Sequence, residues 1–175
     1  MRFLAISGSA RRDSTNTALL HSVRQAAPPG VEVVVFDGIA SLPVFSPDLE
    51  GAVLPAPVQM FMDAIAASDG VIISSPEYVR AIPGGLKNAI DWLVSGDLII
   101  AKPIALLHAS HRGDDMLANL RVVLSTVSYR FNEELFLRLH LMKMSPDEIA
   151  RTLAEPENRA RVQQYLQAFA EYCRG

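Results

Sequence analysis

The sequence predicts an α/β fold in which a five-stranded parallel sheet is doubly wound between two layers of helices, giving three α/β/α layers. Five short apolar runs alternate with segments whose apolar residues recur every three or four positions, which indicates alternating strands and helices. The runs are apolar at successive positions, which is typical of parallel strands buried on both faces. With 175 residues, half of them hydrophobic, the chain can form one domain over residues 1–175.

The five predicted strands are short runs rich in Val, Ile, Leu and Phe. They cover residues 2–7, 31–36, 70–74, 103–108 and 130–137, and the last of them gives the weakest signal. In a doubly wound sheet, ligands bind beyond the carboxyl ends of the strands. The segments that follow the first four strands are therefore the places to search for a site.

The predicted helices carry apolar residues on one face and cover residues 16–27, 58–67, 84–95, 114–127, 146–153 and 157–173. In the third helix the expected buried stripe consists of Leu86, Ile90, Leu93 and Val94. Residues 37–57 contain four prolines and no regular period, so we predict a long loop there. Loops of this length are usually functional or lie at interfaces.

Composition excludes several classes of protein. The net charge of −3, from 16 basic and 19 acidic residues, argues against a general nucleic-acid binder, which normally has a basic surplus. No apolar stretch reaches the length of about 18 residues that a membrane span needs. The single cysteine, Cys173, excludes a disulfide framework, and without a secretory signal pattern we expect a cytoplasmic protein.

The segment after the first strand concentrates hydrogen-bond donors at the start of a predicted helix. The donors are Ser9, Arg11, Arg12, Ser14, Thr15 and Asn16. Helix N-termini bind phosphate through unpaired N–H groups, and guanidinium groups add charge-assisted hydrogen bonds. The segment is neither a P-loop nor a Gly-x-Gly-x-x-Gly turn. The alternative is that Ser14 simply caps the helix while both arginines are solvated.

The segment after the third strand combines stiffness with close backbone approach. Pro76 and Pro83 restrict the loop, and two consecutive glycines follow at positions 84 and 85. Such a loop, with Tyr78 exposed and N–H groups free, can cradle a flat ring along its edge. The alternative is a proline-rich connection in which Tyr78 packs on the surface.

Both segments match the motifs of one family at intact spacing. The pattern Gly-Ser-x-Arg-x-x-Ser-x-Asn is matched by Gly8, Ser9, Arg11, Ser14 and Asn16. The pattern Pro-Glu-Tyr-x-x-x-x-Pro-Gly-x-Leu-Lys-Asn-x-x-Asp-Trp is matched by Pro76, Glu77, Tyr78, Pro83, Gly84, Leu86, Lys87, Asn88, Asp91 and Trp92. Over residues 1–125 the chain therefore resembles the NADPH-dependent FMN reductases, a flavodoxin-like family that includes chromate, quinone and azo reductases.

The resemblance implies a role for each loop. Ser9, Arg11, Ser14 and Asn16 would hold the FMN phosphate, with Thr15 beside them, and Pro76, Glu77 and Tyr78 would line the isoalloxazine. The flavin would carry the chemistry, so no catalytic side chain is expected. The family also implies a homodimer or homotetramer, with residues 84–95 and the 37–57 loop at the interface.

Two segments depart from the family pattern. Val79, Arg80 and Ala81 stand where relatives often have Asn-x-Ser, and residues 109–114 replace a glycine-rich Ser-x-Gly-x-x-Gly-Gly loop. The predicted cofactor contacts in these two segments are Val79, Arg80, Ser110, His111, Arg112 and Gly113. His111 and Arg112 can donate to the flavin pyrimidine edge, and Arg80 or Arg112 can meet the 2′-phosphate of NADPH. The alternative is that these arginines form surface ion pairs with Asp114 or Asp115.

The resemblance implies a flavin oxidoreductase that uses NADPH or NADH. Bound FMN would be reduced and would then reduce a quinone, a free flavin, an azo or nitro compound, or a metal oxyanion such as chromate, in a ping-pong scheme. One alternative is an FMN-bearing electron carrier, against which the modest charge and the Ser-x-Arg loop argue. The other is a flavodoxin-like interaction protein without flavin, which the altered residues 109–114 suggest. His108 and Cys173 are expected to be core residues, and no metal site is expected.

Overall fold

The five runs predicted as strands form the sheet of the computed structural model, which describes residues 1–51 and 53–175. The strands β1 to β5 are Arg2–Ser7, Glu32–Phe36, Gly70–Ser74, Ile104–His108 and Phe131–Arg138. The helices α1 to α6 are Thr15–Ala26, Ala56–Ala66, Gly84–Asp91, Asp114–Val127, Pro146–Ala154 and Pro156–Arg174. Among the described residues, no helix has both the length and the hydropathy to cross a membrane.

The strands pair in the order β2-β1-β3-β4-β5, and every pair is parallel. The chain moves from β1 to β2 in one direction and then crosses back to β3, so the order reverses between β1 and β3. Such a switch point leaves a crevice beyond the carboxyl ends of the two strands. The predicted doubly wound parallel sheet is therefore confirmed.

Alternate residues of each strand enter two separate cores. Leu4 and Ile6 of β1 pack with α2, α3 and α4, whereas Phe3 and Ala5 pack with α1, α5 and α6. This burial of both faces explains why the strands read as continuous apolar runs. The predicted three α/β/α layers are confirmed.

Helix α3 is shorter than its apolar period predicts. It ends at Asp91, and the following N–H groups of Leu93 and Val94 bond to carbonyls only three residues back. The chain thereby tightens into turns and rotates Val94 outward, leaving it 62% exposed while Leu93 stays buried. The expected stripe was therefore wrong at Val94.

The irregular segment between β2 and α2 is held to α3 by side chains. It contains two short 3-10 turns, Gly38–Ser41 and Pro47–Leu49, and Ala52 lies outside the described residues. Asn88 donates to the carbonyl of Pro43 over 2.9 Å and accepts from the N–H of Phe45 over 2.8 Å. The indole of Trp92 donates to the same carbonyl over 2.8 Å. Asn88 and Trp92 therefore hold this segment in place.

Candidate functional site

A cavity of about 400 Å³ lies at the carboxyl edge of the sheet, beside the switch point. Segments that follow β1, β3, β4 and β5 all contribute to its wall. The lining residues are Thr15, Asn16, Ser75, Pro76, Glu77, His108, Ala109, Ser110, Arg112, Gly113, Met142 and Lys143. The structure therefore brings together seven predicted residues, namely Thr15, Asn16, Pro76, Glu77, Ser110, Arg112 and Gly113.

The wall on the β1 side is the N-terminus of α1. Ser14 caps this helix, since its hydroxyl oxygen accepts from the N–H of Thr17 over 3.4 Å. Thr15 and Asn16 occupy the first two helical positions, where N–H groups have no acceptor within the helix. The amide oxygen of Asn16 accepts from the hydroxyl of Ser74 over 2.8 Å, so the side chain is fixed with its NH₂ group as the remaining donor. This end of the cavity presents donors and the positive end of a helix dipole.

The other predicted residues of the first loop lie outside the cavity wall. Ser9 is buried, and its hydroxyl accepts from the N–H of Arg11 over 3.2 Å. The side chains of Arg11 and Arg12 are exposed. Gly8 explains how this loop reaches the loop after β3: a Cβ at position 8 would lie 2.6 Å from the Ser75 hydroxyl oxygen. Only glycine permits that approach.

The loop after β3 contains a two-residue hairpin turn. The backbone groups of Tyr78 and Ala81 bond to each other in both directions, over 3.2 and 3.0 Å. Val79 and Arg80 between them have φ values of 52° and 59°, which is the geometry of a type I′ turn. Of the residues predicted in this loop, Pro76 and Glu77 line the cavity, whereas Tyr78, Val79 and Arg80 do not.

The N-terminus of α4 is bonded to the loop after β3 and to the end of β5. The Glu77 carboxylate accepts from the N–H of Met116 over 3.0 Å. Arg80 pairs with Asp115 over 2.5 Å, and Arg138 at the end of β5 pairs with Asp114 over the same distance. These hydrogen bonds to guanidinium groups lower the pKa of both aspartates. Arg80 is thus in the surface ion pair that the sequence left as an alternative.

His108 lies beneath the loop after β4. Its ring is 1% exposed, and Nε2 donates to the carbonyl of Arg112 over 2.5 Å. Because a carbonyl oxygen only accepts, Nε2 carries the proton of a neutral ring. Burial lowers the pKa of His108, which favours that neutral form. Gly113 packs on the ring with φ of 100°, and a Cβ there would lie 2.9 Å from the imidazole.

Five wall residues were not predicted as contacts from the sequence, namely Ser75, His108, Ala109, Met142 and Lys143; of these, Ser75 and Ala109 directly follow β3 and β4. His108 was assigned to the core, although its position at the carboxyl end of β4 is a usable signal. Met142 and Lys143 follow β5, in a stretch that no motif covers. His111, which was predicted, instead packs edge to face against His140 with ring centroids 6.0 Å apart.

A three-layer α/β fold with this strand order and a cavity at the switch point defines a flavodoxin-like protein. The model of the NADPH-dependent FMN reductase family matches residues 1–133, and the chain belongs to that family. The motif-based recognition of the family is therefore confirmed.

Relatives by sequence include flavin and quinone reductases. The chain is 35% identical over 115 residues to a quinone reductase of Escherichia coli, and 36% identical over 112 residues to an NAD(P)H-dependent FMN reductase of Pseudomonas aeruginosa. Each match covers 63% of this chain and 60% of the relative. The chain thus spans less than two thirds of the length of these relatives.

A solved structure extends the likeness in fold to the whole chain. The flavoenzyme NAD(P)H:(acceptor) oxidoreductase FerB of Paracoccus denitrificans superposes with a TM-score of 0.75 over 99% of this chain and 97% of its own. Its sequence identity is 23%, so this likeness is one of fold. The last quarter of the chain, beyond the family match, therefore follows the fold of that solved structure.

Proposed function

We propose that the protein is an NAD(P)H-dependent flavin oxidoreductase that binds FMN in the cavity at the switch point. Its acceptor would be a small molecule such as a quinone, a free flavin, an azo or nitro compound, or a metal oxyanion. The observation that carries the proposal is the cavity itself, in which the donor-rich start of α1 faces the loops after β3 and β4. Quinone and FMN reductases among the relatives support the same assignment.

The residues present suit a flavin mononucleotide. A phosphate needs several donors and a positive potential, which the N–H groups of Thr15 and Asn16 and the α1 dipole supply. A flat ring needs a stiff wall with little side-chain bulk, which Pro76, Ala109 and Gly113 provide. A cavity of about 400 Å³ also falls within the usual range for small-molecule sites.

Bound FMN would supply the two-electron chemistry that amino-acid side chains lack. The residues of the chain would bind the flavin, orient its ring and polarise it. Thr15 and Asn16 would hold the phosphate end, and Pro76 and Glu77 would limit movement of the ring. We assign to Arg112 the stabilisation of negative charge at the pyrimidine edge, because Arg112 lines the cavity whereas Arg80 is paired with Asp115.

A single opening to the cavity would serve both substrates in turn. NAD(P)H and the acceptor would occupy the same opening beside the loops after β3 and β4, which corresponds to a ping-pong scheme. No separate substrate domain is needed for this arrangement, since the opening lies at the edge of the sheet.

The proposal is tested by adding FMN to the purified protein, removing the excess and recording the visible spectrum. Retained FMN that bleaches on anaerobic addition of NADPH or NADH is the expected result. Retained FMN that does not bleach with either nucleotide would instead indicate an electron carrier. No retention, with no binding heat by calorimetry, would overturn flavin binding altogether.

We also propose that the chain forms a homodimer or homotetramer. Exposed apolar side chains support this idea in the two segments expected at the interface: Val44 and Val53 are 82% and 88% exposed, and Val94 is 62% exposed. Light scattering coupled to gel filtration measures the mass directly. A monomer at micromolar concentration would contradict the proposal.

A further inference from the structure

Lys143 occupies a backbone position that usually requires glycine. The N–H of Met144 donates to the carbonyl of Leu141 over 3.2 Å, which closes a four-residue turn. Lys143 is the third residue of that turn and has φ of 67°. A positive φ at this position is the mark of a type II turn, in which glycine or asparagine is favoured. The chain therefore holds a lysine in a conformation that lysine rarely adopts.

The turn is fixed on both sides. Before it, the N–H groups of Leu139 and Leu141 donate to the carbonyls of His108 and Ala109 over 2.8 and 3.2 Å, which ties the segment to the end of β4. After it, a capping box starts α5. The hydroxyl of Ser145 accepts from the N–H of Glu148, and the carboxylate of Glu148 accepts from the N–H of Ser145. The backbone at Lys143 is thereby held beside the loop after β4.

Lys143 lines the cavity together with Thr15 and Asn16 at the start of α1. Helix α5, which begins just after the turn, packs against α1. None of the ion pairs among the described residues includes Lys143. A cation that shares a cavity wall with the positive end of a helix dipole repels that end unless an anion lies between them.

We propose that Lys143 is a phosphate-binding residue of the cavity. The ligand class is a phosphorylated nucleotide, and the phosphoryl group is that of FMN or that of the second substrate, NADPH. This inference rests on the proposed function. Lys143 lies beyond residue 133, where the family match ends, so the site extends past the shared motifs into the segment after β5. A point charge on a flexible stem suits a phosphate at the open side of the cavity.

Two variants separate the charge of Lys143 from its backbone conformation. Lys143→Gln removes the charge and keeps the strained φ, whereas Lys143→Gly removes both. We expect each to weaken FMN binding about tenfold or more, the scale of a lost charge-assisted hydrogen bond. Lys143→Gly is also expected to raise the Tm by about 2–8 °C, because glycine adopts the left-handed conformation without penalty.

Arg24→Gln is the matched control. Arg24 is an exposed cation in the last turn of α1, about 13 Å along the helix from Thr15, and its loss changes the net charge equally. Its FMN affinity should equal that of the wild type. An equal loss of affinity in this control would mean that net charge alone is responsible, and it would overturn the proposal.

Riboflavin and the two pyridine nucleotides distinguish the sources of the phosphate. Calorimetry of the apoprotein is done with FMN and with riboflavin, which lacks the phosphate. Loss of FMN affinity with unchanged riboflavin affinity assigns Lys143 to the flavin phosphate. Unchanged FMN affinity with weaker NADPH but not NADH binding assigns it to the nucleotide. Unchanged binding of all four ligands overturns the proposal, whereas a wild type that binds no FMN and no NADPH rejects the proposed function.

Discussion

The type I′ turn at residues 78–81 predicts that a single surface substitution stabilises the protein. Val79 has φ of 52°, although β-branched residues strongly disfavour the left-handed region. Its side chain is 98% exposed, so it gains almost nothing from packing. In the family pattern asparagine often stands here, and asparagine is the non-glycine residue that tolerates this conformation best. Val79→Asn should therefore relieve strain without loss of buried contacts.

The expected gain follows from the backbone alone. An L-residue in the left-handed region costs about 1–2 kcal/mol, most of which asparagine avoids. For a domain of this size, 1 kcal/mol corresponds to roughly 2–4 °C in Tm, so the variant should melt about 2–8 °C higher. FMN affinity should stay unchanged, since Val79 does not line the cavity.

Thermal and urea denaturation of the wild type and Val79→Asn measure the difference. Val122→Asn is the control, because Val122 is also an exposed valine, at 66%, but lies in α4 and has no positive φ, and valine and asparagine have similar helix propensities. We expect no gain in that control. An unchanged or lower Tm for Val79→Asn would refute the assignment of strain to this turn.

Three further predictions concern the loops around the cavity. Gly113→Ala should lower the free energy of unfolding by about 2 kcal/mol or more and weaken FMN binding, because the added Cβ would meet the His108 ring at a strained φ. Urea unfolding measures the first effect and calorimetry the second. A wild-type value in either measurement would contradict the close packing of Gly113 on His108. The lowered pKa of His108 means that the unfolded chain binds more protons, so stability should rise with pH up to about 6.5. Urea unfolding at several pH values measures this dependence. Below about pH 6.5, the free energy of unfolding should change less with pH in His108→Gln than in the wild type. An equal change in both proteins would show that another group causes the pH dependence. Asn88→Ala should cost about 2 kcal/mol, since two hydrogen bonds to the segment after β2 are lost, whereas Lys87→Ala on the exposed face should cost less than about 0.5 kcal/mol.

The fold was predictable because each strand enters two cores at once. In β1 to β4 that burial leaves an uninterrupted apolar run that no helix period imitates, whereas Asn132, Glu133 and Glu134 interrupt the run of β5. All five strands were found with their ends within one residue. The end of α3 was not predictable, because Leu93 and Val94 continue the apolar period into turns. Periodicity shows which residues are apolar, but the sequence has no comparable pattern for the hydrogen bonds that end a helix.

The site was predictable where strand ends carry motifs. Thr15, Pro76 and Arg112 follow three strands whose carboxyl ends meet at one edge, so their convergence follows from the topology. The departure of Tyr78 from the wall depends on a turn whose φ values the sequence Val-Arg does not suggest. Lys143 needed knowledge of which strand lies beside β4, since no local pattern marks it.

The bracing of α4 determines when the conformational entropy of the cavity loops is lost. Bonds from Glu77, Asp114 and Asp115 fasten the loop after β3 and the end of β5 to the N-terminus of α4 before any ligand arrives. When the loops of a cavity are already ordered by folding, ligand binding costs less conformational entropy than when binding itself must order them. The cavity wall is therefore preorganised, and the choice among ligands that enter it should depend on the shape of the opening more than on induced fit.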